Sequence, residues 1–116
     1  MATNATLVKG VWRANLTQAN PEAEFDLTEI TTGQRELTIG GDFGSGISPY
    51  VKIQRYLDDF VGWADILNIN LDGKPVFQMD VLGGGYGFAT YHRAGKIKFV
   101  LVNPDTDSDL KLSFLQ

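Results

Sequence analysis

Three aspartates at alternate positions, Asp105, Asp107 and Asp109, have the spacing that calcium loops use. Hard oxygen donors at i, i+2 and i+4 can converge on one ion, which needs about six to eight oxygens in all. The glycine after the third acid and the distal glutamate of such loops are missing, so the stretch reads first as a solvated connection and only second as a weak calcium site. Asp42-Phe43-Gly44 spells the metal-binding triplet of protein kinases. The rest of that signature is absent and 116 residues are too few for the fold, so the triplet reads as a turn. Gly40, Gly41, Gly44 and Gly46 have the composition of a phosphate loop. No Lys-Ser/Thr pair follows and no clear helix begins there to offer its N-terminus to an anion, which leaves a structural bend.

His92 is the single histidine, flanked by Tyr91 and Arg93. It has no carboxylate close in sequence to share a metal, and no Ser/His/Asp triad can be assigned around it. It is expected at the surface or at a sheet edge. The chain has no cysteine, which removes disulfides, thiolate catalysis and cysteine-based zinc sites together. Paired carboxylates for glycoside hydrolysis depend on a separation that only a fold supplies. The expectation is a protein that is not an enzyme and needs no cofactor. Aromatic side chains are the remaining candidates, because exposed ones serve sugar stacking or protein contacts. Trp12, Tyr86, Phe88 and Tyr91 are the interface candidates, whereas Trp63 is expected in the core.

The formal net charge is −4, with 14 acids against 10 bases. That balance argues against wrapping nucleic acid, which rewards clustered Lys and Arg. Lys96 and Lys98 share one strand face but make no track. No apolar run is long enough to span a bilayer, and the first residues lack the basic start and apolar stretch of a signal peptide. The sequons at Asn4 and Asn15 are therefore read as chance matches.

The elements that must position these groups are strands. Phe25 and Leu27 alternate with Glu24, Asp26 and Thr28, and Leu37 and Ile39 with Glu36 and Thr38, the period of a half-buried strand. Strands are expected at Leu7–Leu16, Glu24–Ile30, Arg35–Ile39 (stopped by Gly40-Gly41), Val51–Leu57, Ile66–Leu71, Val76–Val81, Gly87–Arg93, Lys96–Asn103 and Leu110–Leu115. Asp72-Gly73 is a favoured two-residue hairpin turn. Lys96–Asn103 is apolar on both faces, so it is a central strand or has its second face covered by a partner. Tyr56–Leu67 is the one weak helical candidate. The fold expected is an all-β antiparallel sandwich, or a jelly-roll-like one, of about eight strands. Residues 1–34 read as an N-terminal arm with the first strands and 35–116 as the main sandwich, in one domain overall.

One resemblance adds to this reading. It is carried by Leu37-Thr38-Ile39-Gly40-Gly41-Asp42-Phe43-Gly44-Ser45-Gly46, by Val51-Lys52-Ile53-Gln54-Arg55, and by Asp58-Asp59 leading to Trp63-Ala64-Asp65-Ile66. These stretches, with the closing pair Lys96–Asn103 and Asp109–Phe114, resemble small virion proteins of tailed bacteriophages over about residues 35–116. The chain departs from that pattern at Phe60-Val61, where small hydroxyl residues are usual. The resemblance implies a β-sandwich that decorates or cements a capsid, made in the host cytoplasm and carried on the capsid surface. It implies the major capsid protein as partner and a homotrimer as the working form, with no nucleic acid and no membrane engaged. Met1–Trp12 would then be an arm that adds a strand to a neighbour. The alternatives are a carbohydrate-binding module stacking sugars on Trp12, Tyr86 or Tyr91, and a tail or baseplate subunit.

Overall fold

Period-two alternation becomes paired strand throughout the computed structural model, which describes residues 3–4, 6–26, 33–90 and 96–115. The strands are β1 (Thr3–Asn4), β2 (Thr6–Val8), β3 (Val11–Thr17), β4 (Glu22–Asp26), β5 (Gly33–Asp42) and β6 (Tyr50–Tyr56). They continue as β7 (Trp63–Asp65), β8 (Ile69–Leu71), β9 (Lys74–Val76), β10 (Gly85–Thr90), β11 (Lys96–Val102) and β12 (Asp109–Leu115). One sheet runs β1-β4-β11-β6-β7 and the other β2-β3-β12-β5-β10-β8-β9. With the short β1, β2, β8 and β9 set aside, the eight remaining strands cross between the sheets at every connection except the β6–β7 hairpin. The order β3-β12-β5-β10 facing β4-β11-β6-β7 is that of a jelly roll. All pairings but the parallel β1–β4 contact are antiparallel.

Inward-facing residues of both sheets form one core. Five aromatic rings from five strands bridge the two layers at one end: Trp12, Phe88 and Phe114 from one sheet, Phe25 and Phe99 from the other. Phe114 is the hub, with ring centres 4.9 Å from Phe25, 5.6 Å from Phe88, 5.9 Å from Phe99 and 6.2 Å from Trp12. Rings of this size dominate the burial that holds two sheets together. β11 lies between β4 and β6, so Ile97, Phe99 and Leu101 are buried while Val100 and Val102 are half-buried on its outer face.

Several boundaries differ from the sequence expectation. Leu7–Leu16 is broken at Lys9-Gly10, where both residues have positive φ (51° and 81°) and turn β2 back on β3. Gly40-Gly41 does not stop its strand. β5 runs on to Asp42, and Gly41 (φ 91°) is needed because a Cβ there would collide with the Asp109 carbonyl oxygen. The Asp72-Gly73 hairpin forms with both φ positive, but its second strand ends at Val76. Residues 77–84 instead leave the sheet as a strap that closes one side of the sandwich. Met79 exchanges two backbone hydrogen bonds with Val51 of the opposite sheet, and Gly83 N–H donates to Ile39 O. Tyr56–Leu67 contains β7 rather than a helix. The expected arm is paired within its own chain: Thr3 and Asn4 lie beside Ala23 and Glu24, Thr6–Val8 pair with β3, and Trp12 is in the core. Glu24–Ile30 shortens to β4, and residues 27–32 and 91–95, with His92, lie outside the described residues.

Candidate functional site

The aspartate spacing was the first chemical signal, and the fold gathers Asp105 and Asp107 on the Ser45 hydroxyl (3.3 and 3.1 Å) while sending Asp109 elsewhere. The loops 43–49 and 103–108 meet at one end of the sandwich. Asp105 Oδ2 accepts the N–H (2.7 Å) and the hydroxyl (3.3 Å) of Ser45, while its Oδ1 accepts Asp107 N–H at 2.9 Å. The buried Ser108 hydroxyl accepts Asp105 N–H at 2.9 Å and donates to Phe43 O at 2.8 Å. Gly44 (φ 94°) is pressed against this carboxylate so closely that a Cβ would collide with it. Desolvation pushes the Asp105 carboxyl up, but the hydrogen bonds from Asp107, Ser45 and Ser108 outweigh it and hold the group below the ordinary aspartate value. Asp109 turns instead to Asn15 (2.8 Å) and Lys111 (3.4 Å). The motif is a clamp between two loops. Among the described residues no three His, Cys, Asp or Glu side chains gather to hold a metal ion.

The interface candidates are corrected by burial. Trp12, Tyr86 and Phe88 are 3%, 0% and 4% exposed, so none presents a surface. The Tyr86 hydroxyl accepts the N–H groups of Asp80 (3.0 Å) and Val81 (2.9 Å) and thereby fixes the strap. Tyr91 lies outside the described residues. Trp63 reverses the other way: it is half-buried on the outer face of the five-stranded sheet, beside Tyr56. Its neighbours there form a polar ladder. Lys98 Nζ stands 2.8 Å from Glu22 Oε1, and Asp65 accepts from Gln54 (2.8 Å) and pairs with Lys52 (3.4 Å). Tyr56 donates its hydroxyl to Asp59, and that bond with the nearby acids pushes the phenol up.

Several large apolar side chains reach solvent, among them Ile47, Leu67 and Phe77, and one ordered turn carries two in succession. The turn between β6 and β7 holds Phe60 at 96% exposure and Val61 at 56%. It is an ordered turn. Asp58 Oδ1 accepts the N–H groups of Phe60 (2.9 Å) and Val61 (2.8 Å), and Leu57 N–H reaches Gly62 O at 3.0 Å. A carboxylate serving two consecutive amides pins the backbone that carries the two side chains. β6 runs from Tyr50 to Tyr56, so this tip stands at the end opposite the Asp105 clamp, where Ile47 is also exposed. The signal for Phe60-Val61 was present in the sequence as two bulky apolar residues between an acidic turn and Gly62. No protein-family model, no curated protein and no solved structure matches the chain.

Proposed function

We propose that this protein is a capsid decoration protein of a tailed bacteriophage, acting by binding rather than by catalysis. The observation that carries the reading is the Phe60–Val61 tip, where a pinned turn holds two large apolar side chains in water at one end of a rigid sandwich. Large exposed apolar groups on an ordered loop stabilise the molecule little, and two adjacent ones held on one turn favour a contact there. The jelly-roll order supports the same reading by analogy, since viral capsid domains use it; lectin domains use it too, so the order alone does not choose. The partner is the major capsid protein, and a homotrimer would present the tip three times and raise avidity without new contacts.

The direct test is sedimentation of the protein with empty heads of the virus that encodes it, stripped of their surface protein. The wild type pellets with heads, and the F60S/V61S variant binds about tenfold or more weakly, as expected for losing one buried Phe and one buried Val at an interface. Undiminished binding by the variant, or none by the wild type, overturns the proposal. Light scattering on the free protein reads the oligomer: a mass near three chains supports the trimer and a monomer in both free and head-bound states removes it.

A further inference from the structure

The outer face of the seven-stranded sheet contains a groove that the reading above does not use. Strand register builds its floor. Arg13, Ser113 and Thr38 lie side by side across β3, β12 and β5, and the next outward row is Asn15, Lys111 and Gly40. Their sequence neighbours Trp12, Leu112, Phe114 and Ile39 point inward to the core, so these six face solvent or the groove. The groove has a volume of about 660 Å³, within the range of small-ligand sites.

Its chemistry is cationic and hydroxylated. Arg13 forms no ion pair among the described residues. Lys111 holds only a long, exposed contact, 3.4 Å from both Asp109 carboxylate oxygens, which contributes little and yields readily to a better anion. Asn15 is fixed by donating to Asp109 Oδ1 and to Leu110 O (2.6 Å), which leaves its own carbonyl oxygen to accept. Thr38 and Ser113 add hydroxyls that donate and accept. In a chain of net charge −4, two cations and no carboxylate line this groove among the described residues, and Asp109 stands at its edge against Asn15 and Lys111.

Gly40 leaves the floor of the groove without a side chain. A glycine inside a strand weakens it, and most such positions are explained by positive φ or by crowding. Neither holds here. Gly40 lies outside the positive-φ region, and an added Cβ would come no nearer than 4.0 Å to Lys111 O. The backbone tolerates a side chain at this point, so what glycine supplies is space.

We infer that the groove binds an acidic oligosaccharide, with a sugar carboxylate or sulfate on Arg13, sugar hydroxyls on Thr38 and Ser113, and a ring seated over Gly40. Charge complementarity selects the anion, and the adjacent Thr38 and Ser113 hydroxyls favour a polyhydroxylated body over a bare ion. Two cations are too few for the phosphate track of a nucleic acid. The site is distinct from the Phe60–Val61 tip, so loss of head binding leaves it untouched.

Titration calorimetry of the full chain at low salt tests it, with trigalacturonate, sialyllactose and a chondroitin sulfate tetrasaccharide as probes. Galactotriose, inorganic phosphate and a DNA hexamer are the comparisons. Binding is expected for at least one acidic glycan, about tenfold or more weaker for Arg13→Ala and for added salt, and intermediate for Arg13→Lys, which keeps the charge without the planar fork. Gly40→Leu fills the groove and abolishes binding while melting like the wild type. Several results overturn the assignment: no binding to any acidic glycan, equal binding of phosphate or DNA, or undiminished binding by a folded Gly40→Leu variant.

Discussion

The ammonium of Lys98 lies 4.3 Å from the centre of the Trp63 ring, on the solvent-facing side of the five-stranded sheet. Lys98 Nζ also pairs with Glu22, and its side chain is only 12% exposed, so one cation ties β4, β11 and β7 together across the sheet. A double-mutant cycle on Lys98→Met and Trp63→Leu should show a coupling of about 0.5–1 kcal/mol, the worth of a cation–π contact near a surface. Additive single effects in urea melts would remove the interaction as a stabilising element.

Tyr86→Phe should cost more than its single lost hydroxyl suggests. The N–H groups of both Asp80 and Val81 lose their acceptor at a fully buried oxygen. About 1–3 kcal/mol of destabilisation is expected, together with faster hydrogen exchange confined to the strap amides. Unchanged exchange at residues 80 and 81 would mean that the strap is held by Met79 and Gly83 alone.

Stability should fall on the acid side through three aspartates. Asp105 is lowered as described, Asp109 by Asn15 and then Lys111, and Asp65 by Gln54 first, with desolvation opposing and Lys52 assisting. A carboxyl whose folded pKa lies below its unfolded value of about 3.9 contributes stability above that pH and loses it as pH falls through the folded value. Thermal melts at decreasing pH should therefore drop below about pH 4, and Asp105→Asn should make that slope shallower. An identical slope in the variant would show that the clamp does not respond to protonation.

The Phe60→Ser and Val61→Ser changes, by contrast, should leave the fold alone. Both side chains project into water and the Asp58 carboxylate bonds backbone amides, which serine keeps. Unfolding free energies from urea melts should change by less than about 0.5 kcal/mol for either substitution. A larger loss would indicate that the tip packs within the chain and is not free for a partner.

Local features of the fold were legible in advance. Ile97, Phe99 and Leu101 against Lys96 and Lys98 read as strand because side chains alternate faces, and Asp72-Gly73 read as a hairpin because glycine accepts positive φ. The interface aromatics were misplaced for a related reason. Trp12 follows a terminal segment and Tyr86 follows Gly83-Gly84-Gly85, and a terminal or glycine-rich neighbour says the backbone is free to bend without saying which face is covered. Trp63 erred in reverse, since a three-residue strand is too short to declare its inward side.

Alternation and turn chemistry determined by themselves that this is an antiparallel all-β protein, since those depend on residues a few positions apart. The tertiary structure alone decided the jelly-roll order, the burial of Trp12, Tyr86 and Phe88 and the alignment of Arg13 with Ser113 and Thr38. Each of these follows from pairing between distant strands, as when Asn15 meets Leu110. Such pairings are chosen by the burial of the whole core, and no short window of sequence contains it.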